Sequence, residues 1–143
     1  MLDDPLYEDR ILDHYEQPFH RGSCPLATHC HEATNPLCGD RIRIELRVNA
    51  HGQIEDAFFQ GEGCRVSQSA ASILIEHCQG KSLESVRSLQ AKDMLSLFSA
   101  PLTIMRKKCC LLPWRVLQSA TVCPHELPGL PQKTPAENRQ IMP

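Results

Sequence analysis

The sequence lacks long apolar runs, has few aromatic residues and carries little net charge. No stretch of the 143 residues approaches the roughly 18 uncharged apolar residues of a membrane span. Aromatic residues make up 5% and the formal net charge is −2, which argues against a basic surface that binds nucleic acid or membrane. The acidic start of the chain also lacks the apolar core of a secretory signal. We therefore expect a cytoplasmic protein that binds neither nucleic acid nor membrane.

Cysteine is the residue type that stands out. The chain has eight cysteines among its 143 residues, or 5.6%. This fraction is below the roughly 8–10% that is typical of a small disulfide scaffold. No CxxC or CxxH pair is present, which excludes a standard zinc finger. In a reducing compartment, spaced cysteines more often indicate metal binding or thiol chemistry than disulfides.

The clearest structural signal is an antiparallel hairpin. Residues 41–48 alternate strictly between polar and apolar, as a half-buried strand requires. The turn at residues 49–52 ends in glycine, which allows a positive φ, and residues 53–60 are predicted to form the return strand. A further strand is predicted to start near Thr28, within the loop-like residues 19–33.

The two outer ends of this hairpin carry the candidate site. Cys38 and Asp40 directly precede the first strand, and Cys64 follows the second. Because a hairpin brings its outer ends together, these three side chains are predicted to be neighbours. Two thiolates and a carboxylate need one more ligand for a tetrahedral zinc site. On these grounds alone, either Cys109 or Cys110 could supply it.

Helical patterning dominates the rest of the chain. Strands early and helices late favour an α+β fold over a parallel α/β fold. We expect one domain over residues 1–121, followed by a proline-rich, disordered tail over residues 122–143. Helices are predicted over residues 4–17, 66–77, 82–89 and 93–98, and over 101–121 in two parts divided by Pro113.

The remaining cysteines have a simpler interpretation, because a lone cysteine is most often a small buried apolar residue. Cys78 is predicted to be such a residue, buried on the apolar side of its helix. No role is assigned to Cys24, Cys30 and Cys123. The loop histidines His29 and His31 could bind metal, although such residues are usually solvated.

Three segments resemble the iron–sulfur cluster assembly proteins of the NifU N-terminal/IscU/SufU family. Residues 35–42, Asn-Pro-Leu-Cys-Gly-Asp-Arg-Ile, are similar to its first signature. Residues 61–64, Gly-Glu-Gly-Cys, followed by a run rich in serine and alanine, are similar to its second. Arg106, Lys108, Cys109 and Trp114 resemble the third-cysteine segment of the SufU branch. The resemblance extends over about residues 5–121.

This resemblance implies a three-stranded antiparallel sheet with helices packed on one face. It also implies a site of Cys38, Asp40, Cys64 and Cys109 that holds zinc, iron or an assembling [2Fe–2S] cluster, and it favours Cys109 over Cys110. The IscU scaffolds carry histidine where this chain has Lys108, as SufU-type proteins do. The spacing between Cys64 and Cys109, however, lacks the SufU insertion.

The resemblance supports three hypotheses of function. In the first, Cys109 accepts sulfur from a cysteine desulfurase, as in zinc-dependent SufU, and passes it to recipient apoproteins or a downstream scaffold. In the second, the same residues hold a [2Fe–2S] cluster on a scaffold that is not an enzyme. In the third, the site is a structural zinc module without transfer activity.

Overall fold

The computed structural model describes residues 8–36 and 38–124, and it has an α+β architecture, as predicted. Five helices accompany a three-stranded antiparallel sheet with strand order β1-β2-β3. The elements in chain order are α1 (Asp9–Glu16), β1 (His29–Asn35), β2 (Asp40–Val48), β3 (Ile54–Glu62), α2 (Arg65–Cys78), α3 (Leu83–Arg87), α4 (Ala91–Phe98) and α5 (Ile104–Ala120). None of these helices is long and apolar enough to cross a membrane.

The core lies between one face of the sheet and the long helices α2 and α5. The alternation of β2 places Ile42, Ile44 and Leu46 on the buried face, with Ile44 opposite Phe59 of β3. Each such side chain contributes about 1.5–3 kcal/mol to the free energy of unfolding when it is fully buried. A one-residue slip would turn this whole row of side chains to the other face, so the core fixes the strand register.

The predicted hairpin is present, and it extends to the candidate site. The Asn49 side chain accepts hydrogen bonds from the backbone N–H groups of His51 and Gln53, at 2.9 and 3.0 Å, and Gly52 adopts a φ of +77°. Asp40 is the first residue of β2 and Glu62 is the last residue of β3. The hairpin therefore delivers the segments around Cys38 and Cys64 to the same end of the sheet.

Two elements differ from the sequence prediction. The strand β1 runs over His29–Asn35, so its start agrees with the strand predicted near Thr28, but it occupies residues that were otherwise expected to be loop. Its position at the edge of the sheet leaves most of its side chains half-buried or exposed, and this weakens the alternation that marks a strand. Also, α5 is one helix of 17 residues with Pro113 inside it, where two parts were expected.

Packing explains why α5 continues through Pro113. A proline has no N–H, so it removes the helical hydrogen bond to the carbonyl four residues earlier, which belongs to Cys109. The helix is nevertheless held along its length because Leu112, Pro113, Val116 and Leu117 are buried. Tertiary burial outweighs the local preference of proline at this position.

The remaining boundaries agree in part with the sequence prediction. The N-cap Ser82 of α3 is confirmed, because its side chain accepts a hydrogen bond from Ser85 N at 3.1 Å. In the described part of the chain, α1 begins at Asp9, and the start predicted at residue 4 lies outside the described residues. The predicted tail also lies outside them from residue 125 onwards, so the domain boundary stays a prediction.

Candidate metal centre

Three separate segments meet at the end of the hairpin. Cys38 and Asp40 come from the turn that leads into β2. Cys64 occupies the N-cap position of α2 with an extended backbone. Cys109 lies in the second turn of α5. Three different segments of the fold thus place the four residues predicted from the sequence at one end of the sheet.

The functional atoms of these residues lie close together. One ligand atom from each of Cys38, Asp40 and Cys109 lies within 4.8 Å of the other two, and the Sγ atoms of Cys38 and Cys109 are 3.3 Å apart. Cys64 joins the cluster through Asp40, because its Sγ lies 3.8 Å from Asp40 Oδ2. The structure therefore brings together three thiols and one carboxylate.

Asp40 is the best-positioned member of the cluster. Its side chain is fully buried, and Oδ1 accepts a hydrogen bond from the backbone N–H of Cys64 at 2.8 Å. That N–H belongs to the N-terminus of α2, where the helix dipole favours negative charge. The hydrogen bond fixes the carboxylate so that Oδ2 remains directed towards Cys64 Sγ. A buried carboxylate needs such partners to offset the cost of its desolvation.

Gly63 makes room for this carboxylate. Its φ is +142°, and a Cβ atom at this position would collide with Asp40 Oδ1. Gly39, between the candidate ligands Cys38 and Asp40, has a φ of +69°, in the left-handed region that glycine adopts without strain. The glycines of both signatures therefore have a physical role in shaping the site.

The thiol of Cys109 is in an environment that disfavours its charged form. Burial raises the pKa of this thiol well above its ordinary value, and the neighbouring side chains of Cys38, Asp40 and Cys64 raise it further. The cations Arg106, Lys107 and Lys108 directly precede Cys109 but are exposed, and the side chains that shift its pKa are those of Cys38, Asp40 and Cys64. A positive charge placed among the four groups would reverse this effect.

Cys110 points away from the site. It is fully buried and packs in the apolar core between the helices and the sheet. Burial raises the pKa of its thiol to about 12, which keeps the thiol protonated and unreactive at neutral pH. Of the two adjacent cysteines, the structure places only Cys109 beside Cys38 and Asp40.

The other cysteines lie apart from the candidate metal centre. Cys78 is fully buried, as predicted, and burial raises the pKa of its thiol to about 12. Cys24 is also buried, against the outer face of the sheet, where its backbone N–H donates to Glu45 Oε1 at 2.8 Å.

Sequence reasoning missed a contact between two more cysteines. The backbone N–H of Cys30 donates to the carbonyl of Cys123 at 3.1 Å, and Cys123 Sγ lies 4.0 Å from His31 Nδ1. The His-Cys-His run of β1 was a possible signal, but no local pattern shows that the segment after α5 returns to this strand. The neighbouring His29 contacts Thr28 Oγ1 at 2.9 Å.

Known proteins resemble this chain over most of its length. The family described as NifU-like N terminal domain matches residues 6–123. The zinc-dependent sulfurtransferase SufU of Bacillus subtilis is 32% identical over 132 residues, covering 80% of this chain and 88% of that protein. The iron–sulfur cluster assembly scaffold protein IscU of Thermotoga maritima is 30% identical over 131 residues, covering 80% and 92%.

Solved structures agree on the fold. A putative iron–sulfur cluster assembly scaffold protein for the SUF system from Fervidobacterium islandicum has a TM-score of 0.66 at 24% identity, covering 81% of this chain and 96% of that chain. An N-terminal NifU-like protein from Brucella abortus has a TM-score of 0.68 at 18% identity, covering 84% and 94%. At these identities the likeness supports the sheet and helix arrangement alone.

Proposed function

The chain belongs to the NifU-like N-terminal domain family, which includes the iron–sulfur cluster assembly proteins named SufU and IscU, and from this premise we propose that it accepts sulfur from a cysteine desulfurase at a zinc centre. The observation that carries the proposal is the convergence of Cys38, Asp40, Cys64 and Cys109 at one end of the sheet.

The donor set fits zinc. Three thiolates and one carboxylate provide the four ligands of a tetrahedral site, and sulfur ligands are those that zinc favours. Asp40 Oδ1 is already hydrogen-bonded to the backbone of Cys64, so the carboxylate offers one oxygen, as a fourth ligand should. Bound zinc would supply the positive charge that holds the thiols as thiolates at neutral pH.

Cys109 is the proposed acceptor. Its thiolate attacks the outer sulfur of a cysteine persulfide on the donor. The sulfur–sulfur bond of the donor breaks, the donor cysteine leaves as a thiolate, and the persulfide now lies on Cys109. Cys109 is only 2% exposed, whereas Cys38 and Cys64 are half-buried. Acceptance at Cys109 therefore requires a local movement that exposes its thiol.

A labelling experiment tests this role. The zinc-loaded full chain is incubated anaerobically with a cysteine desulfurase and cysteine that carries radioactive sulfur, and the label on the protein is mapped. We expect the label on Cys109, its loss in Cys109→Ser and its retention in the matched variant Cys110→Ser. Undiminished label in Cys109→Ser would show that Cys38 or Cys64 is the acceptor.

A scaffold for a [2Fe–2S] cluster is the second candidate function. It is supported by the similarity to the Thermotoga maritima protein, which covers 92% of that protein, and by the same four ligands, since thiolates also hold iron–sulfur clusters. Anaerobic reconstitution with iron and sulfide should then give a stable visible chromophore that is lost in Cys64→Ser. Tight zinc binding without a chromophore would favour sulfur transfer instead. Unfolding on chelation without thiol reactivity would favour a purely structural zinc site.

A further inference from the structure

The strand β1 has one edge that β2 does not cover. Among the strands of the described residues, β1 pairs with β2 alone, because it lies at the edge of the three-stranded order. At the start of its free edge, the Cys30 N–H donates to the carbonyl of Cys123, and His29 forms an antiparallel bridge with Pro124. Peptide groups of alternate residues point to the same edge of a strand. Those of Glu32 and Thr34 therefore lie on the edge that Cys30 already uses.

A groove runs along this edge between β1 and α5. It has a volume of about 410 Å³, and we refer to it as the β1–α5 groove. The residues that line it are His31, Ala33, Thr34, Asn35 and Pro36 on one side and Lys108, Leu112, Arg115 and Ser119 on the other. The α5 residues are spaced by three or four positions, so they form a single face of the helix.

The groove leads to the metal centre. Pro36 lies two residues before Cys38, and Lys108 directly precedes Cys109. A chain that follows the groove would therefore arrive beside the cluster of thiols. This position suits a segment that presents a partner protein to the site.

The helical wall of the groove is positively charged. Within residues 8–36 and 38–124, neither the Lys108 nor the Arg115 side chain forms a hydrogen bond or an ion pair. The acidic residue of β1, Glu32, alternates to the outer face of the sheet and contacts Arg41 at 3.4 Å. Two cations thus face the groove, with Leu112 as an apolar base between them.

We propose that the β1–α5 groove binds an extended, acidic segment of a partner protein as an added strand. The backbone of that segment would pair with Glu32 and Thr34, and its carboxylates would face Lys108 and Arg115. Strand addition of this kind takes its affinity from main-chain hydrogen bonds and its selectivity from alternate side chains. The proposal does not depend on whether the centre passes sulfur or a cluster.

Two other occupants fit the observations less well. The first is the C-terminal segment of this chain. Because Pro124 pairs with His29 in the antiparallel direction, a continuation of that pairing would meet residue 28, away from Glu32 and Thr34. Residues 125–143 also contain as many basic as acidic residues and four prolines, which do not donate to a ladder. A second copy of the chain paired through β1 would bring the cations of two α5 helices together.

Binding of a defined peptide tests the proposal. The probe is a capped, fluorescent ten-residue peptide in which glutamate and valine alternate, titrated into the full chain at low salt. We expect saturable binding with a Kd below about 1 mM and backbone amide shifts in NMR spectra centred on Glu32 and Thr34. The same peptide with N-methyl groups on alternate amides keeps its charges but loses main-chain donors, and it should bind at least about tenfold more weakly.

Charge reversal provides the matched test on the protein. Arg115→Glu and the double variant Lys108→Glu/Arg115→Glu should each weaken the peptide by about tenfold or more. Lys81→Glu/Lys92→Glu makes the same charge change at exposed positions elsewhere and should bind like the parent, with the thermal midpoint of each variant as the check on folding. The proposal is overturned by absence of saturation, equal loss in both double variants, equal binding of the N-methylated peptide, or amide shifts at another surface.

Discussion

Cys109 and Cys110 are adjacent on α5, yet they belong to two different regions of the molecule. Burial does not distinguish them, because their exposed fractions are 2% and 0%. Cys109 lies 3.3 Å from the thiol of Cys38 and beside the Asp40 carboxylate, whereas Cys110 packs among apolar side chains. The comparison shows that polar neighbours, and not burial, separate a candidate ligand from a core residue in this fold.

Removing each thiol in turn is the most direct test of this difference between Cys109 and Cys110. Cys109→Ala should lower zinc affinity by about 100-fold or more, since removing even a residue that supports a ligand costs about 10–100-fold. Cys110→Ala removes a sulfur of similar burial and should leave zinc affinity nearly unchanged. Competition with a chromogenic chelator measures both values. Equal losses in the two variants would show that the metal is not held at the predicted site.

The next largest effect is expected at Gly63. In Gly63→Ala the new methyl group would displace the Asp40 carboxylate, so zinc affinity should fall by about 10–100-fold, as for the loss of a residue that orients a ligand. Gly80→Ala is the matched control, because Gly80 also has a positive φ, +81°, but has no atom within 4 Å of the added methyl group. It should lose some stability and keep its metal. Retention of full zinc affinity in Gly63→Ala would contradict the role given to Asp40.

A substitution in the core should lower stability and leave zinc affinity nearly unchanged, which is the reverse of the effect expected at the candidate site. Cys78→Ser places a hydroxyl in a fully buried apolar site and should lower the free energy of unfolding by about 1–3 kcal/mol, with little change in zinc affinity. Cys24→Ser should cost less, because the Cys24 side chain already lies 3.6 Å from the carbonyl of Pro25, which a hydroxyl can use. Urea unfolding of the two variants provides the measurement, and a larger loss in Cys24→Ser would contradict this reasoning.

The smallest effect is a pH dependence of stability at the contact between α1 and α2, outside both regions, where His14 packs against α2. His14 Nδ1 lies 2.7 Å from Ser72 Oγ, which accepts a hydrogen bond from Phe19 N. Burial lowers the pKa of His14, although the Glu76 carboxylate partly opposes this shift. The folded protein thus takes up this proton at a lower pH than the unfolded chain. Neutral His14 therefore contributes its full share to the free energy of unfolding above the unfolded pKa of about 6.5. This contribution is lost as the pH falls through that value towards the folded pKa, because the unfolded chain takes up the proton first.

Urea midpoints between pH 7.5 and 5 test this dependence. We expect the parent protein to lose more stability over this range than His14→Gln, which keeps a polar side chain but does not titrate. His51→Gln is the control, because His51 is an exposed histidine in the hairpin turn, far from the contact between α1 and α2. An unchanged pH dependence in His14→Gln would remove the role assigned to this histidine.

The hairpin and two of the three segments of the candidate site could be predicted from the sequence. The hairpin follows from the alternation of residues 41–48, and hairpin topology is sufficient to place Cys38 and Asp40 near Cys64. Nothing local indicates where α5 lies relative to the sheet, so the choice of Cys109 over Cys110 depended on resemblance to a family.

Three structural features were predicted only in part or not at all, because tertiary contacts decide them. A strand was predicted to start near Thr28, but its extent was not, because β1 is held by pairing with β2 and its half-exposed residues do not show a strong alternation. The contact between Cys30 and Cys123 joins segments that are distant in sequence. Likewise, burial keeps α5 continuous through Pro113, against the local preference of proline.

Pro113 divides the hydrogen-bond network of α5 at the carbonyl of Cys109. The turns that precede it can therefore open with one fewer hydrogen bond to break, while the buried second half of the helix stays closed. We expect amide hydrogen exchange to reveal two protection levels within one helix, lower before Cys109 and higher after Leu112. Cys109, the candidate ligand on α5, would then lie at the boundary between a local opening unit and the slowly exchanging core, so that fraying of a single helix end would free its thiol.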